Sequence, residues 1–297
     1  MKNNFINPSD FKPLYAPVLF IALAFFTAGS GSCFKRQEPV VVPVFDSIPQ
    51  QNLLNASLTE ISGIAASNKY PATNWGIEDS GNPPVVHLLS HQGSIIYSSY
   101  IKGATNRDWE AMAIAENDVF IAETGDNALQ YSEYAIYKFP EPVNLGDTIF
   151  NAEKIRFVYP DGAHDCEAMF VDAATKDIYL ITKNSNPSKI FRIAFPYSSG
   201  VQTAIAEGTL SFGGVVSADI SQAQNEILVK TYTTVSYFKR NSGETILQAL
   251  QKTPVRLAHM LEPQGEAVGF TRDNTGYYTI SEKAFANQVF VNFYKRL

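Results

Sequence analysis

Three short segments of this chain are near-copies of one another, and this repetition limits the fold more than any other feature. They are Asp108-Trp109-Glu110-Ala111-Met112, Asp165-Cys166-Glu167-Ala168-Met169 and Gln264-Gly265-Glu266-Ala267-Val268. Two weaker copies fit the same frame, with Ser62 and Ala218 at the position of the glutamate. The marked positions 62, 110, 167, 218 and 266 are separated by 48, 57, 51 and 48 residues. Repetition at a period of about 50 residues is typical of a fold built from repeated units.

Each repeat contains the same series of segments with β-strand character. A second apolar segment follows each motif, and third and fourth segments precede the next motif, all rich in β-branched and aromatic residues. Two of the fourth segments, each predicted to form one strand, are Gln202–Leu210 and Val255–Leu261. Turn residues separate them, and no stretch keeps a helical period beyond one or two turns. The chain is therefore predicted to be all-β. Four antiparallel strands in five repeats predict a single β-propeller of five blades around a central channel, with six blades as the alternative.

The last repeat has only three strand segments, because the chain ends at Leu297. The segment Asn52–Leu58 precedes the first motif, at the place where the other repeats have their outermost strand. We expect this N-terminal segment to complete the last blade and close the ring, since closure removes two open sheet edges. The predicted propeller domain therefore covers residues 52–297.

The N-terminal residues 1–32 are predicted to be a lipoprotein signal peptide. Two lysines precede an apolar run, and small residues then lead to Cys33, which is the order of a secretory signal. Small residues before a cysteine resemble a bacterial lipobox, so we expect Cys33 to be lipidated and to anchor the protein in a membrane of the bacterial cell envelope. Ordinary cleavage nearby, which would leave Cys33 as a free thiol, is the alternative. Residues 33–51, with three prolines, are predicted to be a tether.

Charge and cysteine content limit the partners of the protein. The chain has 23 Lys and Arg against 29 Asp and Glu, and its basic residues form no cluster beyond two short pairs. Since nucleic-acid binding requires a basic stripe, we expect no nucleic-acid partner. The two cysteines are too few for a disulfide framework or a cysteine-based zinc site. We expect a monomer whose partners are the membrane, an envelope protein or a small anionic ligand.

The repeated glutamates are predicted to converge, because the first strand of each blade lines the channel of a propeller. The predicted metal neighbours are Glu110, Glu167, Glu266, Ser62 and Asp219. Converging carboxylates repel one another and require a cation or strongly raised pKa values. Oxygen ligands favour Ca²⁺, whereas zinc would prefer histidine or cysteine. The alternative is that the glutamates accept hydrogen bonds from backbone N–H groups of the neighbouring blade and serve only to join the blades.

Further polar residues are predicted at one rim of the channel, where the second strands end and the inner strands begin. The catalytic candidates are Asp79, Asp126, Lys183 and Glu282. The ligand-binding candidates are Arg107, His164 and Tyr232. Acidic groups here could position a metal-bound water, and basic groups could hold an anion. The alternative is that these residues cap turns or carry solvated charges.

Taken together, the motifs resemble a largely uncharacterised family of secreted bacterial β-propeller proteins, often labelled phytase-like or esterase-like. The matching segments are Glu60–Ile64, Asp108–Met112, Gly125–Asn127, Asp165–Met169, Ala218–Ser221, Lys230–Tyr232 and Gly265–Val268. The resemblance covers residues 52–297. More distantly, five blades with inner-strand glutamates resemble the calcium-activated nucleotidases (apyrases). That resemblance implies one Ca²⁺ in the channel near Ser62, Glu110, Glu167 and Glu266, and hydrolysis of nucleoside diphosphates, whereas Ala218 departs from it.

Three functions therefore stand open. The first is a lipid-anchored envelope propeller that binds Ca²⁺ in its axial channel and a ligand or protein partner at its rim. The second is a Ca²⁺-dependent hydrolase of phosphoric or carboxylic esters. The third is an interaction module whose glutamates are only structural. We prefer the first over the second because basic residues at the predicted rim are few.

Overall fold

The structure is a computed structural model that describes residues 44–297. The predicted signal peptide and most of the predicted tether lie outside the described residues. Within the described part, 22 β-strands form five small sheets, and one short helix lies between two of the strands. The sheets follow one another along the chain as five blades, and this confirms the prediction of an all-β, five-bladed propeller.

The first three blades contain fourteen strands in all, β2 to β15. Strand β1 (Gln50–Leu53) comes first along the chain but belongs to the fifth blade. Blade 1 contains β2 (Ile61–Ala66), β3 (Thr73–Glu78), β4 (Val85–Ser90) and β5 (Ile95–Ile101). Blade 2 contains β6 (Trp109–Ala115), β7 (Asp118–Glu123) and β8 (Tyr134–Pro140); β9 (Thr148–Ile149) then pairs back onto blade 1, and β10 (Glu153–Val158) completes blade 2. Blade 3 contains β11 (Cys166–Val171), β12 (Ile178–Thr182) and β13 (Lys189–Ile193); β14 (Gln202–Thr203) pairs back onto blade 2, and β15 (Ile205–Thr209) completes blade 3.

The last two blades are simpler. Blade 4 contains β16 (Val215–Ile220), β17 (Glu226–Thr231) and β18 (Thr234–Lys239), followed by helix α1 (Ile246–Leu250) and β19 (Val255–Leu257). Blade 5 contains β20 (Gln264–Phe270), β21 (Gly276–Glu282) and β22 (Phe290–Lys295), with β1 outermost. The innermost strands of neighbouring blades contact one another in order, and β20 contacts β2. These contacts close the ring.

The N-terminal strand closes the ring as predicted, but its predicted bounds are wrong. Gln50 pairs with Phe293 and Leu53 with Phe290. Strand β1 therefore begins two residues before the predicted segment Asn52–Leu58 and ends at Leu53, the second residue of that segment. Leu54 and Leu58 are buried in an apolar cluster between blades 1 and 5 although they lie outside the strand. Their burial gives a loop the apolar spacing of a strand, which explains the misplaced boundary.

Packing begins within the predicted tether. Phe45 is buried, forms an isolated bridge with Arg296, and packs its ring 4.9 Å from that of Tyr277. The Arg296 guanidinium lies 4.6 Å from the centre of the Phe45 ring. The described part of the chain therefore adds contacts to blade 5 before β1 begins.

Two outer strands also differ from the prediction. The segment predicted as one strand from Gln202 to Leu210 is divided between β14 on blade 2 and β15 on blade 3. The strand predicted to reach Leu261 ends at Leu257. Helix α1, which the sequence pattern did not predict, has five residues and is capped by Thr245. Such a helix is too short to show a helical period, and no helix in residues 44–297 is long enough to cross a membrane.

Buried polar side chains tie the blades together at the end of the channel where the second strands begin. Glu226 at the start of β17 accepts hydrogen bonds from Arg296 at 2.8 and 3.0 Å, which joins blade 4 to the end of the chain. Asp172 pairs with Arg240 at 3.1 Å and joins blades 3 and 4. The opposite end of the channel, where the second strands terminate, holds a different set of acidic groups.

Candidate metal centre at the channel mouth

A β-bulge near the start of every inner strand sets the positions from which this site is built. In each blade the pairing of the first two strands skips one residue of the inner strand. The skipped residues are Ser62, Glu110, Glu167, Val216 and Glu266, and all are buried. Bulges re-aim side chains and are frequent beside functional sites. The three repeated glutamates therefore occupy equivalent positions, as the sequence predicted.

In the fourth repeat, the prediction that Ala218 occupies the position of the glutamate is wrong. The bulge there falls on Val216, and Ala218 is two residues further along β16. Asp219, predicted as a metal neighbour, accepts hydrogen bonds from the backbone N–H groups of Ile220 at 2.9 Å and Phe270 at 2.7 Å. Burial raises the pKa of Asp219 to about 7. Its carboxylate joins blades 4 and 5 and is not brought together with the glutamates.

Aspartates two residues before the glutamates complete the acidic cluster. The side chains of Asp79, Asp108 and Glu110 have carboxylate oxygens within 4.8 Å of one another. The same separation holds for Glu110, Asp165 and Glu167, so Glu110 belongs to both groups. Seven carboxyl groups lie at this mouth when the two from blade 5 are included: Asp79, Asp108, Glu110, Asp165, Glu167, Glu266 and Glu282.

The blade 5 carboxylates share one amide. The Gln264 side chain donates to Glu266 at 3.2 Å and to Glu282 at 2.6 Å. Tyr232 donates from its hydroxyl to Glu266 at 2.5 Å, and the Lys183 ammonium lies 5.5 Å from the centre of the Tyr232 ring. Lys183, Tyr232 and Glu282 are thus placed at the mouth, as predicted.

One lysine offsets part of this negative charge. Lys183 forms an ion pair with Glu167. Within residues 44–297 no other cationic side chain forms an ion pair with any of the seven carboxyl groups. Ser62 contributes a hydroxyl that donates to the Trp109 carbonyl at 2.7 Å and so ties blade 1 to blade 2.

Burial and mutual repulsion raise the pKa values of several of these groups. Burial, followed by the charges of Glu167 and Asp79, raises the pKa of Glu110 well above its ordinary value. Burial and the neighbouring Glu266 raise the pKa of Glu282 to about 9. For Asp79, burial and a hydrogen bond with Asp108 raise the pKa to about 7. Without a cation, the cluster therefore retains protons near neutral pH.

Several carboxylate oxygens have no partner in the described part of the protein. Buried oxygens of Asp165, Glu167 and Glu282 accept no hydrogen bond there. Glu110 is 3% exposed, and no hydrogen bond to its carboxylate is formed by residues 44–297. Buried polar atoms are rarely left without partners, because their desolvation is then not compensated. A set of unpartnered oxygens with no nitrogen or sulfur ligand fits a hard cation such as Ca²⁺.

Three predicted rim residues build loops instead of joining the carboxylates. The Asp126 carboxylate accepts from the backbone of Gln130 at 2.8 Å and Tyr131 at 2.9 Å, while its own N–H donates to Asp165 at 2.9 Å. Arg107 donates to the carbonyl of Glu133 and lies 3.8 Å from the centre of the Tyr131 ring.

His164 is the third of these residues. It bonds Asp161 at 2.8 Å and packs its ring 5.1 Å from that of Phe191. Asp126 therefore positions Asp165, and the other two residues support neighbouring turns.

Sequence reasoning missed Asp108, Asp165 and Gln264 as members of the site. The signal was present, because the two strongest motif copies read Asp-x-Glu and the third reads Gln-x-Glu. On a regular strand, residues two apart share a face. Asp108 and Asp165 lie just before β6 and β11, however, in loops whose course the sequence does not show, so their side chains could not be placed.

Gly125 provides space that the cluster requires, and this gives a test. A Cβ at this position would overlap the carboxylates of Glu110 and Asp108. We expect Gly125→Ala to displace both groups and to weaken cation binding by about tenfold or more, a change of roughly 1.4 kcal/mol. The matched control is Gly146→Ala, where an added Cβ meets nothing within 4 Å. Equal calcium affinities for both variants, measured by calorimetry, would contradict the proposed geometry.

One solved structure supports the architecture. Neither a protein-family model nor a curated protein matches the chain. A solved structure of an auxiliary nutrient binding protein from Bacteroides thetaiotaomicron is 7% identical, with a TM-score of 0.50, over 84% of this chain and 73% of that chain. A chain of a nidogen/laminin complex is 10% identical, with a TM-score of 0.47, over 80% of this chain and 81% of that chain.

A hydrazine synthase of Kuenenia stuttgartiensis also matches in part. It is 11% identical, with a TM-score of 0.43, over 77% of this chain, and the match spans 57% of that chain. At 7% identity the likeness to the nutrient binding protein concerns the fold alone.

Proposed function

We propose that the channel mouth binds a divalent cation and that Ca²⁺ fits it best. The observation that carries this proposal is the convergence of seven carboxyl groups around one lysine, with buried oxygens that no group in residues 44–297 satisfies. The group formed by Glu110, Asp165 and Glu167 is the more deeply buried of the two. All of its ligands would be oxygens, which favours Ca²⁺ over zinc.

The rim would then present the cation to a ligand or protein partner. Asp79 and Asp108 are partly exposed, whereas the glutamates beneath them are buried. A small anionic ligand would meet Lys183, the cationic side chain that forms an ion pair with this cluster. The bound metal would therefore provide most of the attraction for a phosphate or carboxylate group.

Thermal melts of the full chain test cation binding directly. A ligand that binds only the folded state at about 100 times its Kd adds roughly 2.7 kcal/mol to the free energy of unfolding. For a domain of this size that corresponds to a rise in Tm of about 5–10 °C. We expect this rise in Ca²⁺ relative to EDTA, and a smaller rise in Mg²⁺, which requires a stricter octahedral geometry. An identical Tm in Ca²⁺ and EDTA would contradict cation binding.

A Ca²⁺-dependent ester hydrolase is the second candidate. It is favoured by Asp79, a partly exposed carboxylate beside the buried ones, which is placed to act as a general base for a metal-bound water. The resemblance to proteins labelled phytase-like or esterase-like favours the same chemistry. Hydrolysis of p-nitrophenyl phosphate or p-nitrophenyl acetate that requires Ca²⁺ and is lost in Asp79→Asn would establish this activity. Turnover that is equal in Ca²⁺ and EDTA would exclude it as a function of this site.

We also propose that the protein is anchored in the bacterial cell envelope through Cys33. The support is the order of positive, apolar and small residues before that cysteine. Expressed in a bacterial host, the protein is expected to partition with membranes and to carry a lipid-modified Cys33 at its mature N-terminus, as seen by mass spectrometry. Cys33→Ala should release it into the soluble fraction. A mature N-terminus at another residue would instead indicate ordinary signal cleavage.

A further inference from the structure

A cavity of about 460 Å³ opens between blades 1 and 5 at the end of the channel opposite to the carboxylates. Its walls come from the β2–β3 and β20–β21 hairpins, with contributions from the turn after β4 and from β22. The volume lies in the range of ligand pockets, which is roughly 300–1,000 Å³. This cavity lies at the seam where the ring closes and shares no residue with the acidic mouth.

One wall of the cavity is aromatic. The Tyr278 ring lies 4.6 Å from the His91 ring and 4.9 Å from the Phe293 ring, measured between ring centres. The backbone of His91 is fixed on both sides, because its N–H donates to Ala72 at 3.2 Å and its carbonyl accepts from Asn52 at 3.2 Å. The wall is therefore held in place by the strand that closes the ring.

Another part of the lining is polar and has no net charge. Arg272 and Asp273 stand side by side in the β20–β21 hairpin and both line the cavity. Arg272 forms no ion pair with any of residues 44–297. Asp273 is held by Thr275, whose hydroxyl donates to it at 2.7 Å. One positive and one negative side chain disfavour a strongly charged ligand, whereas together they can donate to and accept from hydroxyl groups.

We propose that this cavity binds a sugar ring of a neutral carbohydrate. The C–H groups on one face of a pyranose would pack against His91 and Phe293, the partly exposed rings of the aromatic wall, which the buried Tyr278 supports. Aromatic ring faces carry partial negative charge. The sugar hydroxyls would bond Arg272 and Asp273 on the polar wall, and His91 would complete the contact. Binding at this cavity is independent of the cation site.

Titration of the full chain with glucose, galactose and N-acetylglucosamine, in EDTA, tests the proposal by saturation-transfer NMR and calorimetry. We expect saturable binding of at least one of the three sugars. His91→Ala and Arg272→Ala should each weaken that binding about tenfold, which is roughly 1.4 kcal/mol. Both variants alter partly exposed side chains, so the Tm should change little, and the response of the Tm to Ca²⁺ should stay that of the wild type.

The matched control is His87→Ala, because His87 lies in β4, the strand that leads into the turn with His91, but does not line the cavity. Sugar binding should be unchanged in this variant. No saturable binding of any of the three sugars at millimolar concentration would overturn the proposal. Binding that survives both His91→Ala and Arg272→Ala would overturn it as well, since the sugar would then bind elsewhere.

Discussion

Glu110→Gln is expected to abolish most of the stabilisation by calcium while leaving the cation-free protein at least as stable as the wild type. Glu110 belongs to both carboxylate groups, and its carboxylate accepts no hydrogen bond from residues 44–297. In EDTA the substitution removes a buried carboxyl group whose pKa is raised by burial and by the charges of its neighbours. No hydrogen bond formed by the described residues is lost with it. The Tm in EDTA should therefore stay the same or rise.

In calcium the same variant should behave differently. If the substitution raises Kd about 100-fold, a concentration of 100 times the wild-type Kd stabilises the variant by only about 0.4 kcal/mol. The rise in Tm caused by calcium should then fall from about 5–10 °C to about 1–2 °C. Glu167→Gln is less informative, because it also leaves Lys183 without its ionic partner.

Glu226→Gln is the matched control, a buried glutamate at the other end of the channel. Burial alone would raise its pKa, but hydrogen bonds from Asn274 and Tyr237 and the pairing with Arg296 lower it. Its substitution should lower Tm by the same amount in calcium and in EDTA. A wild-type calcium response in Glu110→Gln would contradict the assignment of Glu110 as a ligand.

The cation-free protein is expected to lose stability as pH rises from 7 to 9. Burial and Glu266 raise the pKa of Glu282 to about 9, whereas the ordinary value in an unfolded chain is about 4.3. Between these values the folded state binds more protons than the unfolded state, so the free energy of unfolding falls with pH. The raised pKa of Glu110 acts in the same direction. Carboxyl groups with lowered pKa values act only at acidic pH, and so do His91 and His259, whose pKa values burial lowers.

The measurement is Tm against pH in EDTA and in calcium. In EDTA we expect a fall of several degrees, on the order of 5 °C, between pH 7 and 9. Calcium favours the ionised carboxylates, so the fall should be smaller and the difference between the two curves should grow with pH. Glu282→Gln should flatten the EDTA curve. A Tm in EDTA that does not change over this range would contradict the raised pKa values of the carboxyl groups at the mouth.

Much of the architecture was readable because each blade repeats one unit. The five recurring motif positions, three of which carry glutamate, predicted the number of blades, and the spare N-terminal segment indicated how the ring closes. The bounds of β1 were misjudged because Leu54 and Leu58 are buried outside a strand. The division of one predicted strand into β14 and β15 depends on pairing with a neighbouring blade, which no local pattern records.

The site was predictable in part for a related reason. The convergence of Glu110, Glu167 and Glu266 follows from the repeat alone. Val216 was missed as the fourth equivalent because a bulge adds a residue without changing the apolar pattern. Asp108 and Asp165 were missed because they lie in loops just before the inner strands. The course of these loops depends on contacts such as the hydrogen bond from the Asp126 N–H to Asp165.

Calorimetric titration of the EDTA-treated, dialysed full chain with calcium tests the central proposal most directly. We expect saturable binding in the wild type, unchanged binding in Glu226→Gln, and binding weakened about 100-fold in Glu110→Gln. Absence of calcium binding by the wild type would contradict the proposed metal centre. Equal binding by the wild type and Glu110→Gln would place the cation somewhere other than this ring of carboxylates.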